Sequence, residues 1–214
     1  MPKVFICVSG NIGSGKTTVA NIIANIFDFK KFEESVEDNP YLNLFYQDMN
    51  KWAYRLQRYF LLTRALAHEK VNVMNESVVQ DRSIYEDMAV FAENQRLTGL
   101  WTEQEYKKYK ELYDMVSAEV KPPDLLIYLR TSMPFLKERI KSRNRSYEME
   151  LIKEGNTYLE QLQSLYETWV KNYNFGSKLI IETDKLNIIN NPDDLVKLIN
   201  MIKFAISRGD NEKS

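Results

Sequence analysis

Eight consecutive residues, Gly10-Asn11-Ile12-Gly13-Ser14-Gly15-Lys16-Thr17, constrain this chain more than any other segment. The chain has only seven glycines, and three of them fall between positions 10 and 15. Upstream, Val4-Phe5-Ile6-Cys7-Val8 is an unbroken apolar run, as a strand buried on both faces requires. Downstream, Val19, Ile22, Ile23, Ile26 and Phe27 recur at helical spacing. A strand, a glycine turn and a helix in this order match the phosphate-loop pattern. Glycine allows the tight turn and lets backbone N–H groups face phosphate oxygens. The helix start adds a positive dipole end, Lys16 reaches the β/γ-phosphates, and Thr17 is a ligand for magnesium (Mg2+). The expectation is a nucleotide cradle for ATP over residues 10–17.

The strand-to-helix unit then recurs. Ser77-Val78-Val79-Gln80-Asp81 reads as a strand leading into a helix over about 84–96. Leu125-Leu126-Ile127-Tyr128-Leu129 is a second buried strand, followed by a helix with Pro134 in its first turn. Leu179-Ile180-Ile181 is another, and Asn191-Pro192-Asp193-Asp194 opens a last helix with a capping residue, proline and acids. A remaining strand is placed near Phe32-Glu33-Glu34. Long helices are expected at about 50–74, 102–119 (with a Thr102-x-x-Glu105 capping box) and 150–173. Alternating strands and helices argue for an α/β fold with a parallel sheet covered on both faces. No repeat or linker divides the 214 residues, so one domain over 1–207 is expected, with 208–214 as a disordered tail.

Composition removes several classes of function. Twenty-nine basic residues against 30 acidic ones leave no basic excess for coating nucleic acid. No apolar stretch approaches the roughly 20 residues a membrane span needs, and the N-terminus lacks a signal-peptide core. The single cysteine, Cys7, cannot form an internal disulfide and suits a reducing, cytoplasmic setting. His68 stands in a helix without a second ligand candidate and reads as structural. A GTPase would carry an Asn-Lys-x-Asp base-reading segment, which this sequence lacks. The strand at 77–81 ends in Asp81-Arg82-Ser83 rather than in a water-activating switch, which favours a small-molecule kinase.

Five markers in order carry a resemblance to a family: the loop itself; Glu34-Ser35-Val36-Glu37; Trp52, Gln57 and Arg64; Asp81-Arg82-Ser83 with Asp87 and Phe91; and Arg139, Arg143-Asn144-Arg145 and Glu148. Across residues 3–185 the chain resembles the deoxynucleoside kinases. The resemblance implies a P-loop kinase fold, a five-stranded parallel sheet flanked by helices, with an arginine-rich lid at about 139–150. It implies ATP-dependent phosphorylation of a deoxynucleoside 5′-hydroxyl, with Mg2+, in a homodimer. Such a transfer needs alignment, charge neutralisation and a proton acceptor. In that scheme Glu34 is the general base, chosen over Glu33 and Glu37 by its Glu-x-Val position. Arg82 positions the base and the reacting phosphoryl, Lys16 and Arg143 assist catalysis, and Asp81 with Thr17 serves Mg2+. Arg139, Arg143, Arg145 and Asp184 join the loop in binding ATP. Tyr46 and Glu148 hold the sugar 3′-hydroxyl.

For the base, Gln57 and Arg64 lie seven apart on one helix face, and Asp87 and Phe91 four apart on another. An amide pairs with a base edge and a ring stacks on its face. Trp52 belongs to the same nucleoside group. Arg64 with Asp87 resembles the charged pair of relatives that accept deoxyadenosine, deoxyguanosine or deoxycytidine rather than thymidine. Plainer roles stay open: a structural ion pair for Arg64 and Asp87, core aromatics for Trp52 and Phe91, and a solvated helix end or an RNA-binding patch for the lid arginines. Ser35 replaces the family's usual proline, and Asp81 its glutamate, one methylene shorter. The competing enzyme reading is a nucleoside monophosphate kinase of the thymidylate kinase type, whose acceptor needs no carboxylate base.

Overall fold

The computed structural model describes residues 3–32 and 39–211. Five strands, β1 (Phe5–Ser9), β2 (Lys30–Phe32), β3 (Val78–Asp81), β4 (Leu125–Arg130) and β5 (Ser177–Glu182), form one sheet in the order β2-β3-β1-β4-β5. Every pairing is parallel. The apolar runs of β1 and β4 are unbroken because both faces are covered. Phe5, Cys7, Leu126 and Tyr128 enter one core, and Ile6, Val8, Leu125, Ile127 and Leu129 the other. The β1–β3–β4 centre therefore sets the carboxyl ends of three strands side by side, where open α/β sheets place their ligands.

Nine α-helices occur among the described residues: α1 (Lys16–Phe27), α2 (Leu42–Gln47), α3 (Met49–Val73), α4 (Ile84–Glu86), α5 (Glu93–Leu97), α6 (Glu103–Ala118), α7 (Met133–Arg143), α8 (Tyr158–Asn172) and α9 (Pro192–Asn211). The capping box of α6 forms: Thr102 N donates to Glu105 Oε2 at 2.9 Å and Glu105 N to Thr102 Oγ1 at 3.2 Å. At α9, Asp193 N donates to Asn191 Oδ1 at 3.0 Å. None of these helices is long and apolar enough to cross a membrane.

Several boundaries differ from the sequence reading. The strand near 32–34 is β2 at Lys30–Phe32, and Glu33 and Glu34 lie outside the described residues. The helix expected at 150–173 divides into a 3₁₀ turn (Ser146–Ile152) and α8. Gly155 at φ 82° breaks the chain between them, and Tyr158 N donates to Asn156 Oδ1 at 3.0 Å to start α8. The helix at 84–96 is interrupted by a π turn (Asp87–Ala92), where Glu93 N reaches back five residues to Met88 O. The stretch from 208 read as a disordered tail begins inside α9, which continues to Asn211. The short helix α2 has no counterpart in the sequence reading.

Candidate active site

The phosphate loop joins β1 to α1 with three glycines at positive φ: Gly10 at 151°, Gly13 at 85° and Gly15 at 94°. At Gly10 a Cβ would lie 2.6 Å from Ser14 Oγ and 2.9 Å from Leu129 O, so the turn has no room for a side chain. Lys16 Nζ folds over the loop and donates to Gly10 O at 3.0 Å and Asn11 O at 2.9 Å. Neighbouring elements hold the loop in place. Asn11 Nδ2 donates to Leu159 O at 2.9 Å and Gln163 Oε1 at 3.1 Å, both on α8. Arg139 Nη1 from α7 donates to Ser14 O at 3.1 Å and to Thr183 Oγ1 at 3.2 Å.

At the end of β3, Thr17 Oγ1 donates to Asp81 Oδ2 at 2.6 Å. A hydroxyl and a carboxylate thus converge beside the loop, a hard-oxygen pair that suits Mg2+, which binds through one or two protein oxygens, substrate phosphates and water. The shorter Asp81 reaches this point without the extra methylene of glutamate. The next residue, Arg82, has a left-handed backbone at φ 69°, uncommon for a residue with a Cβ. Its guanidinium is buried, donates from Nη1 to Tyr166 Oη at 2.7 Å and lies 4.8 Å above the Phe91 ring centroid.

A cavity of about 640 Å³ opens over these groups. Its lining includes Gly13, Gly15, Lys16 and Thr17 of the loop, Asp81 and Arg82, and Gln57, Arg64 and Phe91 of the proposed base site. Tyr46, Arg143, Arg145 and Glu148 also line it. Arg64 forms a buried ion pair with Asp87, which stands behind the lining. The Arg64 guanidinium also lies 4.6 Å from the Phe60 ring centroid. Tyr46 stacks on Tyr147 at 5.4 Å, and burial pushes its phenol well above the ordinary range. In the 139–150 segment, both Arg143 and Arg145 pair with Glu148, the latter at 3.7 Å.

Trp52, Arg139 and Asp184 stand outside the cavity lining. Trp52 does not line it: the ring stacks on Tyr41 at 6.0 Å, with Arg55 5.2 Å from its centroid. Arg139 is tied to the outside of the loop, and burial lowers its pKa. Asp184 accepts from Ser132 N at 3.1 Å, at the start of α7, rather than lining the cavity. Glu34 lies outside the described residues. Ile12 lines the cavity, and Gly10, Asn11 and Ser14 shape the loop behind it. His68 is buried, edge-on to Phe5 at 5.0 Å, and burial lowers its pKa to about 4.

Tyr147, Tyr158, Tyr166 and Glu86 had no role at the site in the sequence reading. Tyr147 and Tyr158 line the cavity, and Glu86 is fully buried below Arg82. Glu86 carried a signal, since Ser83-Ile84-Tyr85-Glu86 is a capping-box pattern. Tyr158 and Tyr166 lie on the buried face of α8, and Tyr147 carried no signal.

Comparison with known proteins agrees with this geometry. The family model described as deoxynucleoside kinase matches residues 6–207. A deoxyadenosine/deoxycytidine kinase of Bacillus subtilis is 34% identical over 210 residues, 97% of this chain and 94% of the relative. A deoxyguanosine kinase of Lactobacillus johnsonii is 35% identical, over 92% and 90% of the two chains. Among solved structures, a deoxyadenosine kinase from M. mycoides with bound dATP superposes with a TM-score of 0.79 at 28% identity, over 94% of this chain and 99% of that one. The family match over residues 6–207, with relatives about a third identical along nearly the whole chain, places this chain in the deoxynucleoside kinase family.

Proposed function

We propose that this kinase moves the γ-phosphoryl of ATP to the 5′-hydroxyl of deoxyadenosine, deoxyguanosine or deoxycytidine, ahead of thymidine. One observation carries the reading. A single cavity is lined by the phosphate loop and also by Gln57, Arg64 and Phe91, so triphosphate and nucleoside share one enclosure. Glu34 takes the proton from the 5′-hydroxyl, an assignment that rests on its motif. Lys16 and Arg82 neutralise charge on the phosphoryl in flight and hold it in line. Thr17 and Asp81 would hold Mg2+, which screens the β- and γ-phosphate oxygens when bound. Gln57 reads the base edge, Phe91 stacks on its face, and the Arg64–Asp87 pair sets the base preference.

The segment at 139–150 acts as a lid. With a sugar 3′-hydroxyl on Tyr46 and Glu148, Arg143 and Arg145 turn to the phosphates, where their planar forks match the oxygen geometry. Arg139 and Asp184 support this from outside the cavity, through the loop and the start of α7. Trp52 contributes through packing on Tyr41. The family resemblance supports a homodimer of single-domain chains, and the lone buried Cys7 a reducing cytoplasmic setting. The balanced charge supports small-molecule rather than nucleic-acid partners, and no membrane role is proposed.

The test is ATP-dependent transfer to the four deoxynucleosides, run beside their 5′-monophosphates. Turnover of deoxyadenosine, deoxyguanosine or deoxycytidine above thymidine is expected. Turnover of monophosphates alone would overturn the reading.

A further inference from the structure

We infer that Glu86 is a positioning residue for Arg82: its buried carboxylate, through Tyr166 and Ser9, fixes the guanidinium against the phosphate loop. A carboxylate with no exposed surface is costly unless it is paired and fully hydrogen-bonded. Glu86 is both. Oε1 accepts from Ser83 N at 2.9 Å, which caps the start of α4. That bond uses one oxygen only. Oε2 accepts from Ser9 Oγ and from Tyr166 Oη, each at 2.8 Å. Tyr166 Oη in turn accepts from Arg82 Nη1, and the Arg82 guanidinium lies 3.8 Å from the carboxylate.

The helix cap therefore explains one oxygen of the carboxylate, and the other is committed to Ser9 and to Tyr166, which holds Arg82. Ser9 is the last residue of β1, directly before Gly10, whose carbonyl accepts from both Lys16 Nζ and Arg82 Nη1. Glu86 thus refers Arg82 to the same strand end that sets the phosphate loop. The left-handed backbone at Arg82 aims the side chain from a turn that costs conformational energy, so an outside restraint is needed to keep it there. Transition-state stabilisation by a cation depends on such preorganisation.

This inference rests on the reading of Arg82 as the group that faces the transferring phosphoryl. Three variants separate the two claims: Arg82→Lys, Glu86→Gln and Tyr166→Phe. Glu86→Gln keeps an oxygen for Ser83 N but removes the charge, and Tyr166→Phe removes only the bridging hydroxyl. For each, kcat and KM for ATP and deoxyadenosine are measured per active site counted by nucleotide binding, beside the melting temperature. Arg82→Lys is expected to lose at least about 100-fold in kcat, Glu86→Gln about 30-fold and Tyr166→Phe about 5-fold, with each KM within about threefold. In the Arg82→Lys background, Tyr166→Phe should change kcat no further, because both act through one group.

A purely structural carboxylate would lower the melting temperature and the active-site count while kcat per site stayed at the wild-type value. That result in both Glu86→Gln and Tyr166→Phe, with Arg82→Lys impaired, overturns the role of Glu86 and leaves the function standing. Wild-type kcat in Arg82→Lys overturns the reading of Arg82 itself. If Glu86→Gln does not fold, Tyr166→Phe decides alone: a fivefold loss at unchanged melting temperature supports the relay, and wild-type kcat rejects it.

Discussion

The floor of the cavity and the lid proposed at 139–150 use the same kinds of side chain under opposite constraints. Lys16, Arg64 and Arg82 on the floor are all buried and tied to backbone carbonyls, a carboxylate or a phenol within the fold. Arg143 and Arg145 in the lid have side chains 37% and 33% exposed, and both lean on Glu148. Moving a floor residue breaks packing and leaves a buried charge behind, so the floor is set during folding. Moving a lid arginine exchanges one anionic partner for another at a partly wet surface, where each pair contributes little. A kinase needs both: fixed charge where the phosphoryl passes, and exchangeable charge where ATP must enter and leave.

Four measurements can break or sharpen this contrast. The largest effect is expected on the floor at Gly10→Ala, which forces a Cβ to within 2.6 Å of Ser14 Oγ at a φ of 151°. Phosphoryl transfer should fall by about 10³-fold with ATP binding weakened, measured by initial rates and equilibrium titration. Near-normal activity would show that the loop adapts, as the lid is held to do. Next is Asp87→Ala, which removes a buried carboxylate partner of the Arg64 guanidinium. Unfolding free energy should drop by about 3 kcal/mol, with partial recovery in the Arg64→Met/Asp87→Ala double variant. The folded single variant should also accept thymidine better relative to deoxyadenosine; unchanged relative rates would remove Asp87 from base reading.

The third lies one helical turn from Arg64, at His68, whose pKa burial lowers to about 4. The unfolded chain, with a histidine near 6.5, binds more protons than the folded one below that pH. Stability is therefore full above pH 6.5 and lost as pH falls toward 4, by about 2 kcal/mol at pH 5. Urea melts of wild type and His68→Leu should show the acid limb flattened in the variant. The smallest effect is expected in the lid. Arg143→Ala with Arg145→Ala should raise the KM for ATP about tenfold and leave stability within about 0.5 kcal/mol. A stability loss like that of Asp87→Ala would place these arginines with the floor.

The same contrast governs what was legible in the sequence. The phosphate loop could be read because its backbone admits only glycine at Gly10, and β1 and β4 because both their faces are buried. Arg64, Asp87, Asp81 and Thr17 were visible as a pattern, and the fold pairs Arg64 with Asp87 and Thr17 with Asp81. Trp52 matched a motif, yet an aromatic residue on a helix packs equally well against Tyr41 as against a base. Glu86 and Tyr166 were hidden, since a capping box and the buried face of α8 account for each locally and their junction spans 80 residues. The π turn at 87–92 leaves no compositional mark, because it is a change of hydrogen-bond partner within an ordinary helical sequence. The start of α8 differs from the expectation because Leu151 and Tyr158 lie seven apart, a spacing that one unbroken helix would also show, and only Gly155 decides.

The proposed transfer turns on an unphosphorylated sugar alcohol losing its proton to Glu34 as the phosphoryl arrives. Single-turnover phosphorylation of deoxyadenosine by Glu34→Gln, with ATP and nucleoside affinities measured in parallel, tests this most directly. The expected result is a rate lower by at least about 10² with both affinities nearly unchanged. A wild-type rate in that variant would contradict the mechanism.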